Sequence, residues 1–306
     1  MTKCEIISIA NQKGGVGKTT TSFNLGVALK NRGKKVLLVD ADPQGDLTTC
    51  MGWQNPDDIP NTLASLMNEV INDKELNYND TILHHREGVD VIPSNLELSS
   101  LEIELVNVMS RENTLKNVLT PLRENYDYII IDCMPSLGMI TINSLAASDK
   151  VIIPVQSQFL AAKGMNHLLS TILKVKQKIN PNLDISGIGI LITMVDNRTN
   201  LSKKMISELR SQHGMVFKVF DSVIPTAIKV AESTAEGKSI LSYDRNNKAS
   251  YCYDNFASEV IEIGRERKQN KDAIQNRWFL HNTRRKRWYE KRKSRRNRYF
   301  FTRSIS

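Results

Sequence analysis

Apolar residues in this 306-residue chain gather into short continuous runs separated by longer stretches with helical spacing, an alternation that holds from residue 6 to about residue 264. The runs, rich in Ile, Val and Leu, cover 6–10, 35–40, 89–93, 126–132, 150–154, 185–195 and 216–224. They are too short and too β-branched for helices, and their lack of polar alternation predicts strands buried on both faces. Helical spacing covers 20–32, where Phe23, Val27 and Leu29 recur with small residues between them. It returns in a short helix from Asn61 or Thr62, in two pieces over 96–123, and over 137–147, 164–179, 202–213 and 248–264. Gly33 stops the first of these helices and Asn180-Pro181 the fifth. Strands alternating with helices predict an α/β fold, a mostly parallel central sheet with helices on both faces. Ligands of such sheets bind at the carboxyl ends of the strands.

The first strand and helix enclose the most informative segment, Asn11-Gln-Lys-Gly-Gly-Val-Gly-Lys-Thr-Thr20. Strand, glycine-rich turn and helix form the setting of a phosphate-binding loop. Gly14, Gly15 and Gly17 let the backbone turn tightly and aim successive N–H groups, with those of Val16 and Thr20, at phosphate oxygens. Lys18 supplies a cation for the β- and γ-phosphates, and the Thr19 hydroxyl is placed to ligate Mg²⁺. Gln12 stands where a glycine usually opens such a loop, and a second lysine, Lys13, follows it.

Acids stand at the ends of two further strands. The run 129–132 is three isoleucines closed by Asp132, the Walker B form, which predicts a hold on Mg²⁺ through water. The strand over 35–40 ends Asp40-Ala-Asp42-Pro-Gln-Gly-Asp46. Asp40 and Asp42 flank one residue, so one can support the magnesium shell while the other orients an attacking water. Together these residues predict a phosphate-loop NTPase fold with ATP and Mg²⁺ as cofactors.

Composition adds limits. No run of 18 apolar residues predicts a membrane span, and the absence of a signal-peptide pattern before Cys4 predicts a cytoplasmic protein. Cys4, Cys50, Cys133 and Cys252 are scattered, which suits reduced thiols and not a metal cluster. The net charge of +9 is unevenly spread: residues 264–306 hold 16 Lys and Arg against three acids, leaving 26 basic and 30 acidic residues in 1–263. The expected organisation is an ATPase domain over 1–263 and a basic tail over 264–306.

Residues 1–263 resemble ParA/Soj-type chromosome or plasmid partition ATPases, of the deviant Walker A class that also contains MinD. The matching segments are Lys13-Gly-Gly-Val-Gly-Lys-Thr-Thr20, Leu38-Val-Asp-Ala-Asp-Pro-Gln-Gly45 and Tyr128-Ile-Ile-Ile-Asp-Cys133 with Pro135-Ser136. Ile192-Thr-Met194 with Asn197-Arg-Thr199, and Val223-Ile-Pro225, complete the match. The resemblance implies that Lys13 is a signature lysine reaching the partner's phosphates across an ATP-dependent sandwich homodimer. It implies that Lys18 and Thr19 bind phosphate and Mg²⁺, that Asp42 positions the hydrolytic water, and that Asp132 is the Walker B acid. Met194 and Pro225 fall in segments that border the base, and Arg198 and Lys229 match positions that contact double-stranded DNA non-specifically. Met134 and Thr226 depart from the usual proline and arginine. The function implied is slow ATP hydrolysis that drives DNA segregation on the nucleoid, stimulated by a ParB-like centromere-binding partner.

The tail lies outside the resemblance. Thr283-Arg-Arg-Lys-Arg-Trp-Tyr289 recurs 11 residues later as Ser294-Arg-Arg-Asn-Arg-Tyr-Phe300. Arginine mixed with aromatics suits nucleic acid through phosphate neutralisation and base stacking. It also suits an anionic membrane surface, or a basic extension with no binding role. The runner-up function is therefore a MinD-like positioning ATPase anchored by the tail, although a membrane partner is disfavoured. An amidoligase of related fold is a further reading, with no amidotransferase domain visible.

Overall fold

The computed structural model describes residues 4–156, 162–196, 199–214 and 217–266. Eight strands form one sheet among them: β1 (Glu5–Ile9), β2 (Val36–Ala41), β3 (Leu83–His84), β4 (Asp90–Ile92), β5 (Tyr128–Cys133), β6 (Lys150–Gln156), β7 (Ile188–Val195) and β8 (Lys218–Pro225). Their spatial order is β3-β4-β2-β5-β1-β6-β7-β8, and every pairing is parallel except β3 with β4. All six residues of β2 and of β5 are buried, which requires a covering layer on each face. The expected α/β architecture is the observed one.

Topology sets three strand tips side by side. β5 lies between β1 and β2, with Ile9 level with Asp132 and Asp132 level with Asp40. The turn after β1 and the acids of β5 and β2 therefore share one end of the sheet. The Lys18–Asn31 helix follows that turn and buries Phe23, Leu25, Val27 and Leu29. Gly26 lets it approach β2, since a Cβ there would stand 2.7 Å from Leu38 Cδ2. The far end of this helix is fixed by Arg32, whose guanidinium grips the Asp254 carboxylate and Ser258 of the Lys248–Glu266 helix.

Other elements differ from the sequence reading in informative ways. The helix expected from Asn61 or Thr62 runs Leu63–Ile71, and the Thr62 N–H donates to Ser65 Oγ as in a capping box. The helical stretch over 96–123 divides into Glu97–Glu104 and Thr114–Leu119, with short 3₁₀ turns around them. Four short helices, Asp46–Cys50, Tyr78–Thr81, Ile228–Ala235 and Ile240–Tyr243, and the two-residue β3 were not foreseen. Two units divide the chain, Met1–Ile261 and Glu262–Ser306. The tail from residue 267 onward lies outside the described residues, and so does the reading of its Arg-aromatic repeat.

Candidate functional site

The turn after β1 is stitched to β6 and β7. Asn11 Nδ2 donates to the Pro154 carbonyl at 2.7 Å, and Asn11 Oδ1 accepts from the Lys13 N–H at 3.0 Å. Thr193 Oγ1, wholly buried in β7, donates to the Val16 carbonyl at 2.8 Å. Gly15 and Gly17 have φ of 68° and 84°, left-handed backbone that favours glycine. A Cβ at Gly14 or Gly15 would meet no protein atom within 4 Å, so the loop leaves open space beside its backbone. No side chain caps the Lys18–Asn31 helix, whose first N–H groups are thus left for another acceptor. Lys18 is 7% exposed and Lys13 is only half-buried: one cation lies inside the site and one on its rim.

The acids are held by a network of buried hydroxyls. Asp132 accepts a hydrogen bond from Ser22 Oγ at 2.9 Å, with the Thr19 hydroxyl close by. Burial raises the Asp132 carboxyl above the usual range, against the lowering influence of Thr19, Ser22 and Lys18. Burial and the neighbouring Asp132 charge raise Asp40 in the same direction. Asp40 Oδ2 accepts from the Thr48 N–H at 2.8 Å and Thr48 Oγ1 at 2.7 Å, while Oδ1 accepts from the Asp42 N–H at 3.2 Å. Asp40 thus ties down the segment that carries Asp42. Asp42 is 8% exposed, accepts from the Gln44 N–H at 3.0 Å, and is raised chiefly by burial while Lys18 lowers it. A buried acidic group of this kind beside a single inward lysine is relieved by a divalent cation, and Thr19 on Asp132 provides the neutral and charged oxygens it needs.

The remaining predicted residues are arranged as follows. Lys13 Nζ donates to Gln156 Oε1 at 3.4 Å, at the tip of β6. Met194 is the last residue but one of β7 and Pro225 ends β8, where Val195 pairs with Pro225, and Met194 Cε comes within 3.8 Å of where a Gly17 Cβ would be. Met194 therefore lies against the phosphate loop. Lys229, in the Ile228–Ala235 helix, donates to Asp244 Oδ2 at 2.7 Å. Arg198 lies outside the described residues. Sequence reasoning missed Ser22, Thr48, Thr193 and Gln156. Only Ser22 carried a local signal, since it follows Lys18 by one helical turn and shares its face.

A family model described as an AAA domain matches residues 4–185. The chain is 43% identical over 260 residues to the sporulation initiation inhibitor protein Soj of Bacillus subtilis, covering 85% of this chain and 99% of that protein. It is 40% identical over 265 residues to the chromosome partitioning protein ParA of Caulobacter vibrioides, covering 86% of this chain and 96% of that one. Among solved structures, cobyrinic acid a,c-diamide synthase from Mycobacterium smegmatis with bound ATP analog and magnesium is 32% identical. It superposes with a TM-score of 0.72 over 87% of this chain and 96% of that one. On this sequence identity, fold and constellation of residues, the chain belongs to the ParA/Soj family of partition ATPases.

Proposed function

We propose that this protein is an ATP-dependent switch that segregates DNA. The observation that carries the reading is the division of labour between its two loop lysines, with Lys18 buried against the acids and Lys13 on the rim at the tip of β6. A lysine on the rim, at the tip of β6, is suited to a second nucleotide site facing the first. The loop N–H groups, the uncapped helix start and Lys18 bind the phosphates of ATP, and Thr19 with Asp132 holds Mg²⁺. Bound magnesium would neutralise charge on the β- and γ-oxygens.

The chain's own groups then have separate tasks. Asp42, fixed by Asp40 and Gln44, orients the water that attacks the γ-phosphate. Ser22 and Thr19 keep the Asp132 carboxylate aimed, and Thr193 prevents the Val16 carbonyl from swinging into the phosphate space. Met194 and Pro225 border the nucleotide from the tips of β7 and β8. Two copies close on two nucleotides, each Lys13 reaching the other's phosphates, and the dimer binds nucleoid DNA non-specifically through Arg198 and Lys229. Hydrolysis, slow alone and stimulated by a ParB-like partner, dissolves the dimer and releases the DNA. The domain over 1–263 carries this cycle, and the tail over 264–306 adds a further contact with phosphate.

The relatives named for partitioning are more similar in sequence than the amide-forming enzyme of the same fold, which favours segregation over amide synthesis. Among the described residues, no helix is long and apolar enough to cross a membrane. Sedimentation with plain duplex DNA and with anionic liposomes, each with ATP and with ADP, tests the reading. It predicts ATP-dependent recovery with DNA; recovery with liposomes alone would replace it with membrane positioning.

A further inference from the structure

Three side chains at the mouth of the loop form a chain whose middle member, Gln156, has no task in the proposed cycle. Lys13 Nζ donates to Gln156 Oε1 at 3.4 Å, and Gln156 Nε2 donates to Met194 Sδ at 3.6 Å. The amide is oriented by both ends, because an ammonium only donates and a thioether sulfur only accepts. Met194 has φ of 52°. The other two non-glycine residues with positive φ among the described residues, Asp73 and Ser110, lie in exposed segments, whereas Met194 is half-buried at the tip of β7. Such backbone in a long side chain is held in place by its surroundings.

The cause is a bulge. The pairing of β7 with β8 shifts register between Ile190 and Ile192 and again between Ile192 and Val195. In a regular strand Thr193 and Met194 would point to opposite faces. Here both serve the loop, Thr193 on the Val16 carbonyl and Met194 beside Gly17 and Gln156. Gln156 also sits two residues beyond Pro154, whose carbonyl holds Asn11. The tip of β6 thus grips the Asn11 side-chain amide through the Pro154 carbonyl and the Lys13 ammonium through Gln156. The second grip is a neutral acceptor at the long end of hydrogen-bond distance, which suits a contact made to be exchanged.

We propose that Gln156, oriented by Met194, is a positioning residue that retains the Lys13 ammonium on its own subunit and must give it up before Lys13 can reach the phosphates of a second copy. The inference rests on the trans role of Lys13 proposed above. Gln156 sets the threshold for dimerisation without taking part in nucleotide binding or hydrolysis.

Analytical ultracentrifugation of the full chain with a non-hydrolysable ATP analogue tests it. Gln156→Glu replaces the weak acceptor with a charged one and raises the protein concentration for half-dimerisation about fivefold or more. Gln156→Leu removes the acceptor and lowers that concentration about two- to threefold, and Gln156→Met, which preserves side-chain length, does the same. ADP affinity stays within about twofold in all three, as expected when the loop itself is intact. A role in packing alone would move all three variants the same way; that outcome, or no shift in any, overturns the proposal. Lys13→Ala separates the two levels: normal dimers in that variant would sink the trans role itself. Lost dimers together with same-direction Gln156 shifts would sink only the part assigned to Gln156.

Discussion

The tips of β1, β5 and β2 and those of β6, β7 and β8 lie along one sheet, yet they are held by different kinds of interaction. On the first side Asp40, Asp132, Ser22 and Thr48 are buried and joined by hydrogen bonds of 2.7 to 2.9 Å. On the second side Lys13 reaches a half-buried Gln156 at 3.4 Å, Gln156 reaches Met194 at 3.6 Å, and the Lys229–Asp244 pair lies near the surface. Buried, satisfied polar networks hold one geometry, because every broken bond leaves an unpaired group out of water. Exposed or long contacts exchange at small cost. The difference suits the proposed cycle, in which the chemical centre stays fixed while a second copy and DNA come and go.

The contrast is broken most severely at Asp42. Asp42→Ala removes the group assigned to the attacking water and lowers ATP turnover by about 10² to 10⁴ while nucleotide binding persists. That variant stays dimeric and DNA-bound in ATP; normal turnover in a phosphate-release assay would remove Asp42 from the mechanism. Next is Thr193→Val, a near-isosteric change that strips the Val16 carbonyl of its buried partner. It costs about 1–3 kcal/mol in urea unfolding and weakens ATP binding; an unchanged unfolding midpoint would mean that the second side also lacks any fixed anchor.

A pH effect is expected at the other end of the sheet, away from the strand tips, where His85 is bonded to the segment just before β4. His85 packs edge-on against Phe23 at 5.3 Å and lies 6.0 Å from Trp53. Its Nε2 meets the Gly237 carbonyl at 3.2 Å and its Nδ1 accepts from the Glu87 N–H, an arrangement for the neutral ring. Burial lowers the His85 pKa. The folded state therefore binds fewer protons than the unfolded one near pH 6.5, and the stability due to the neutral ring is lost as pH falls through that range. His85→Leu flattens the decline in melting temperature between pH 7 and pH 5; an unchanged slope would show that the ring charges without cost.

The smallest effect is expected at Lys229. Its partner Asp244 already offsets its charge, so Lys229→Ala weakens DNA binding about two- to threefold and lowers the salt slope by less than one unit. Asp244→Asn frees the cation and moves both quantities the other way. Equal behaviour of the two variants in a salt titration would detach this helix from DNA.

Much of this was legible in the chain itself because it is written locally. Continuous Ile/Val/Leu runs gave the parallel strands, and the spacing of Gly14, Gly15, Gly17, Lys18 and Thr19 gave the loop. Asp132 and Asp42 could be read because an acid at the end of an apolar strand has few other uses. Thr193 and Gln156 could not, since their roles depend on the β7–β8 bulge and on β6 lying beside β1, which are tertiary facts. That Asp40 accepts from Thr48 and from the Asp42 N–H could not be read either, since spacing alone does not show which donors fold back onto it. The helices Asp46–Cys50 and Ile240–Tyr243 are too short to show a period, and β3 is two residues long.

In the proposed cycle one loop lysine serves its own nucleotide and the other serves its partner's. Sedimentation velocity of Lys13→Ala beside the unmodified protein, with ATP and with ADP, tests it most directly when paired with a fluorescent-nucleotide titration. The expected result is an ATP-dependent dimer for the unmodified protein and a monomer for Lys13→Ala that still binds nucleotide. An ATP dimer of normal stability in Lys13→Ala would contradict it.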